Sequence, residues 1–121
     1  MEGKVAAQSF RDLVVWQRAM QSTVAIYPLT GSFPREEMYG LTSQVRRSAV
    51  SIPSNIAEGQ GRTKVGEFKQ CFEIARGSNF EVQTELELAR ELKFGDQRLL
   101  EEAENLSHEV GRMIYRLMHS I

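Results

Sequence analysis

Apolar residues recur along this chain at intervals of three and four, the spacing that lines one face of an α-helix, and nowhere in the alternation of a strand. The first run is Phe10, Leu13, Trp16, Met20, Val24 and Tyr27. It predicts a helix over about residues 10–28, with Ser9 as its cap and Asp12 at the positive end of the dipole. Pro28 lacks a donor and disfavours helical geometry at Tyr27, so the helix is expected to end or kink there.

The linker of Thr30, Gly31 and Ser32 is turn-rich, and a second helix is predicted over 34–60. Pro34 suits its first position, and Glu36 and Glu37 its first turn. Gly40 can interrupt that turn, with Thr42 able to cap a fresh start. Leu41, Val45, Ala49, Ile52 and Ile56 form its apolar face. Pro53 predicts a bend, and Gly59 or Gly61 a stop. The third helix, over 64–93, is the most regular. Val65, Phe68, Phe72, Ala75, Asn79, Val82, Leu86 and Ala89 make a heptad seam with Asn79 as its polar member. Gly95 stops it and Asp96 caps a fourth helix over 96–120, carrying Leu99, Ala103, Leu106, Val110, Met113, Leu117 and Ile121.

Short connections make neighbouring helices antiparallel. The predicted fold is therefore all-α, a single up-down-up-down four-helix bundle over residues 1–121. A turn near Gly95 would bring Gly77 and Gly111 to similar heights, so Ser78 and Gly111 are expected to let helices three and four approach closely. Asn55 and Asn79 are candidates for buried polar contacts that fix register.

Composition narrows the function classes. The net charge is −1, which is not the global footprint of a nucleic-acid binder. Residues 1–62 hold seven Lys/Arg against five Asp/Glu, whereas residues 63–121 hold eight against eleven, so any basic surface is local. A single cysteine, Cys71, cannot form an internal disulfide, and neither the N-terminal segment nor any apolar run suits a signal peptide or a membrane span. A soluble, cytoplasmic protein is expected.

Catalytic chemistry finds little support. A di-metal carboxylate bundle wants Glu-x-x-His on two helices. Asn105 and Arg116 stand three residues before the two histidines, His108 and His119. Gly61 and Gly66 have the spacing of a phosphate loop, but Glu67 occupies the lysine position and no strand precedes them. Cys71 has no evident activating partner in the sequence, and the serines at 43, 48, 51 and 54 better suit close helix packing than a triad. No enzyme activity, catalytic residue, cofactor or metal site is expected. Arg46 and Arg47, with Arg62, Lys64 and Lys69 around the start of helix three, are the candidate nucleic-acid-binding residues. A solvated helix face is the alternative for the arginine pair.

The run from Gln44 to Arg62, with Arg46-Arg47-Ser48 and Ser51-Ile52-Pro53-Ser54-Asn55-Ile56-Ala57-Glu58-Gly59, resembles the signature of the 23S rRNA intervening-sequence protein family, also called the S23 or four helix bundle protein family. The likeness extends to Phe10-Arg11-Asp12-Leu13, Val15-Trp16, Phe33-Pro34, Tyr39-Gly40-Leu41, Phe68, Gly77-Ser78, Glu81 and Gly111-Arg112-Met113. It implies an antiparallel bundle that assembles as a ring-like homopentamer. The accessory protein of diversity-generating retroelements looks like a relative, which implies RNA or an RNA-associated protein, such as a reverse transcriptase or ribosome-associated protein, as partner. The slightly acidic charge departs from that relative. The expected function is a non-enzymatic homo-oligomer binding such a partner. A structural or protein-interaction module without nucleic acid is the alternative.

Overall fold

The three-and-four spacing folds into four α-helices among residues 9–120, the part of the chain that the computed structural model describes. They are α1 (Val14–Gly31), α2 (Leu41–Gln60), α3 (Val65–Leu92) and α4 (Gln97–Met118), with 3-10 turns at Phe10–Asp12 and Arg35–Glu37 and no strand among the described residues. The architecture is the expected all-α bundle. Each helix packs on two neighbours, α1 on α2 and α4, and α3 on α2 and α4, so the outer α1/α2 side and the outer α3/α4 side face opposite ways.

The α3 seam is the one expected: Phe68, Phe72, Ala75, Asn79, Val82, Leu86 and Ala89 are all buried, and only Val65 at its start is exposed. Facing it, α2 buries Val45, Ala49, Ile52 and Ile56, and Pro53 lies buried within the same helix. On α4 the seam turns by one position from the expected one. Leu100, Ala103, Ser107, Val110, Ile114 and Met118 are buried, with Leu99, Met113 and Leu117 packed along the edge. Ile121 lies outside the described residues.

The largest departure is in α1. Its buried residues are Val15, Ala19, Ser22, Thr23, Ile26, Leu29 and Thr30, whereas Met20, Val24 and Tyr27 are exposed. Size misleads here. The approach of α2 demands small residues, and Thr23 Oγ donates to Ala49 O at 3.0 Å and to Ala19 O at 2.9 Å, so the bulky side chains turn outward. Pro28 does not end the helix. Its missing donor orphans the carbonyl of Val24 on the exposed side of the helix, where Val24 and Pro28 both lie, while Ile26 before it and Leu29 and Thr30 after it are buried.

The other boundary shifts are local. Ser9 caps the first 3-10 turn, its Oγ accepting from Arg11 N at 3.1 Å and its N–H donating to Asp12 at 3.2 Å. The α-helix proper begins only after it. Pro34 precedes the second 3-10 turn rather than opening α2. Helix α2 starts after Gly40, where Glu37 Oε1 accepts from Leu41 N at 3.0 Å, and Thr42 is a buried helical residue rather than a cap. Gly61 follows α2, and Asp96 caps α4 by accepting from Leu99 N at 3.0 Å.

Gly77 does not meet α4: it is exposed and has no neighbour within 4 Å of a built Cβ. The close approach of α3 and α4 is made by Asn79. Its Nδ2 donates to Ser107 O at 2.9 Å, and Ser107 Oγ donates back to Asn79 Oδ1 at 3.0 Å. Both side chains are buried, and a Cβ on Gly111 would come within 3.1 Å of Asn79 Nδ2. Ser78 turns the other way, to Ser51 of α2 at 2.8 Å. Removing one partner from a buried reciprocal pair strands the other, so Asn79→Ala is expected to lower unfolding stability by about 1–3 kcal/mol in urea denaturation. A change below about 0.5 kcal/mol would show the pair to be dispensable.

Candidate functional site

The five candidate residues do not form one patch. Arg46 is fastened to its own bundle. Its Nε donates to Thr30 Oγ at 2.8 Å, and its guanidinium lies 4.6 Å from the centre of the Tyr27 ring. Arg47, one position on, is exposed and lines a groove between α2 and α3. Arg62, Lys64 and Lys69 sit at the opposite end of α2, about 24 Å away along its axis at 1.5 Å rise per residue. There Arg62 pairs with Glu58 at 2.5 Å. The Glu58 carboxylate first, and the Cys71 side chain after it, raise the Arg62 pKa, and Cys71 is buried. Lys64 is the exposed residue before α3, and Lys69 is half-buried one turn in.

The groove beside Arg47 has a volume of about 540 Å³ and is strongly polar, with Ser48, Ser51, Ser78 and Glu81 along its length. Short side chains let α2 and α3 come together here. Asn55 adds to the network, its Nδ2 donating to Ser51 O at 2.8 Å and Ser51 Oγ at 3.1 Å. One turn along α3 from Glu81 lies Glu85, only 5% exposed. Ser48 Oγ donates to Glu85 Oε2 at 3.3 Å, and Glu85 Oε1 is buried with no hydrogen-bond partner among the described residues. Burial pushes the Glu85 carboxyl above the usual range and the neighbouring Glu81 charge adds to this, while bonds from Ser48 and Gln44 oppose it.

A second groove, of about 470 Å³, runs down the outer α3/α4 side and was not foreseen from the sequence. Its lining includes Arg76 and Phe80 from α3 and His108, Arg112, Tyr115 and Arg116 from α4. Helical geometry explains the α4 contribution, since positions 108, 112, 115 and 116 share one face. The spacing Arg112, Tyr115, Arg116, His119 was legible, but its α3 partners lie some forty positions earlier in an acidic half. Gly111 forms part of the floor. Nearer the Phe94 end the same side turns acidic, with Glu87, Glu91 and Glu104, the last paired across to Arg90.

The third outer surface is apolar. Met20, Val24 and Tyr27 of α1 and Val50 of α2 are exposed, Val24 by 61%. Thr23 bonding to Ala49 and Arg46 reaching Thr30 place them on the same α1/α2 side. On α3, Ile74, Leu88 and Leu92 are exposed as well.

These features define a class: an all-helical bundle whose outer sides carry charged, aromatic and apolar surface. Within that class, the chain belongs to the 23S rRNA-intervening sequence protein family, whose model matches residues 11–116. Among solved structures it is similar to a protein of unknown function from the S23 ribosomal protein family of Bacteroides thetaiotaomicron. That likeness has a TM-score of 0.80 at 24% identity and covers 87% of this chain and 98% of the other. No curated protein matches the chain. No helix among the described residues is long and apolar enough to cross a membrane.

Glu85 yields a pH prediction. A folded pKa raised above the unfolded value favours folding in the protonated form, and that contribution is lost as pH rises through the raised value. Thermal melts from about pH 4 to neutrality should therefore show wild type losing stability relative to Glu85→Gln, which is at least as stable at neutral pH. Parallel stability curves for the two proteins would contradict the assignment.

Proposed function

We propose that this chain is a non-enzymatic, self-assembling bundle that binds RNA or an RNA-associated protein on its assembled surface. The observation that carries the assembly is the outward strip of Met20, Val24, Tyr27 and Val50. Exposed apolar residues scattered singly need no explanation, but residues 20, 24 and 27 share one helix face and Val50 extends it across α2. The occupant is a second copy of this chain. The family resemblance implies five subunits, and an odd-numbered ring cannot use a two-fold contact, so the strip meets a different face of its neighbour. The α3 stripe of Ile74, Leu88 and Leu92 supplies apolar surface for that role. Arg47 on one groove wall and Glu81 on the other make no ion pair among the described residues, so both charges are available to a neighbour.

Support for a non-enzymatic role comes from how the reactive side chains are used. His108 and His119 each engage a main-chain carbonyl of their own helix through Nδ1, at 3.0 and 2.8 Å. The RNA half of the reading rests on the resemblance to the accessory protein of diversity-generating retroelements. A cytoplasmic location accords with one cysteine and no internal disulfide. The net charge of −1 favours a second reading, a structural or protein-interaction module that retains a protein partner and no nucleic acid on pull-down.

Light scattering at micromolar concentration should give a mass several times the 13.8 kDa of one chain. The double variant Val24→Glu/Val50→Glu should run as a monomer with unchanged helicity, because both positions are exposed in the single bundle. A monomeric wild type would overturn the assembly.

A further inference from the structure

We propose that the α3/α4 groove around Arg76 binds a single-stranded segment of nucleic acid, through aromatic and guanidinium planes for the bases and arginines for the phosphates. This rests on the RNA-binding half of the preceding reading and assigns it a site distinct from Arg46, Arg47, Arg62, Lys64 and Lys69.

The first support is how the charges are sorted. Residues 63–121 hold eight Lys/Arg against eleven Asp/Glu, so an arginine there meets carboxylates by default. Arg90 and Arg98 do, pairing with Glu104 and Glu102. Arg76, Arg112 and Arg116 make no ion pair within 4.0 Å among the described residues. They converge with His108 on one groove whose lining contains no carboxylate. Three uncompensated guanidinium groups in a concave site of an otherwise acidic segment are a local anion-binding field.

The second support is the planar groups set among those charges. The Arg76 guanidinium carbon lies 5.2 Å from the centre of the Phe80 ring and 5.6 Å from that of Tyr115. Tyr115 in turn stacks on His119, with centroids 3.9 Å apart and planes 29° from parallel. Phe80 and Tyr115 are 51% and 49% exposed, although nothing in the bundle requires aromatic residues at these outer positions. Flat, half-exposed rings alternating with cations form a stacking platform for unpaired bases, which every base can use because each has a π-face. A duplex buries those faces and offers a helix too wide for a 470 Å³ groove, whereas a single strand presents bases and phosphates together. An acidic peptide would engage the arginines and leave the rings idle.

Fluorescence anisotropy with a labelled oligouridine of about 12 nucleotides tests this on the full chain. Wild type is expected to bind, with a log–log salt slope of about −2 for three phosphate contacts. Phe80→Ala and Tyr115→Ala should each weaken binding about tenfold or more. Arg76→Glu/Arg112→Glu should abolish it, and the milder Arg112→Ala/Arg116→Ala, at two exposed positions, guards against misfolding of the reversal. Lys64→Ala/Lys69→Ala, at candidate positions outside the groove, should bind like wild type. Equal binding of oligothymidine places the preference in single strands of either sugar and supports the site; weaker binding identifies RNA as the ligand and also supports it. Oligouridine binding lost in Lys64→Ala/Lys69→Ala but unchanged in the groove variants would overturn the site and leave the RNA reading standing. No oligouridine binding by wild type would overturn both. Polyglutamate binding as tight as oligouridine, with Phe80→Ala and Tyr115→Ala unaffected, would replace the nucleic acid with an acidic polypeptide.

Discussion

The bundle depends on a demand for small residues where its helices meet. Thr23 reaches the backbone of Ala49, Ser51 touches Ser78, and Ser107 and Gly111 receive Asn79. Gly59 is pressed closely between α2 and α3, since a Cβ there would stand 2.9 Å from the Phe72 ring and 3.0 Å from Cys71 Cβ. Close approach trades bulky packing for dispersion between backbones and for hydrogen bonds that single out one register. It also limits how much large apolar surface the interior can hold, so bulky residues that would fill a looser bundle stand outside.

That constraint links packing to function. The inside of α1 is Ala19, Ser22, Thr23 and Ile26, and its outside is Met20, Val24 and Tyr27. In the proposed assembly a neighbouring copy covers that strip, and its burial recovers hydrophobic free energy that a lone monomer forgoes. The buried Glu85 belongs to the same compromise. Its carboxyl sits where short Ser48 lets α3 approach α2, and the strain is electrostatic rather than steric.

The sequence was most legible where small and large residues alternate in a strict heptad, as along α3, because there both the period and the size agree with burial. It misled in α1, where ranking positions by bulk selected the outward face. Pro28 misled because its cost depends on which side of the helix the orphaned carbonyl faces, and that is not visible before the burial pattern is known. The Arg46-Arg47 pair stood out as adjacent charges, yet Arg46 serves an internal contact with Thr30 and Tyr27. The α3/α4 groove stayed hidden because its two halves come from different helices and because the surrounding acidic composition masks them. Only the ion-pair pattern in space shows which arginines are left uncompensated.

The claim that bulky apolar side chains are turned outward to be covered by another copy is tested most directly by hydroxyl-radical footprinting across a dilution series. Met20 and Tyr27 should oxidise slowly in concentrated protein and several-fold faster once the assembly dissociates, while Tyr115, outside the proposed contact, reacts at one rate throughout. Equal, concentration-independent reactivity at Met20 and Tyr27 would show that the strip faces water in the working protein and contradict the account.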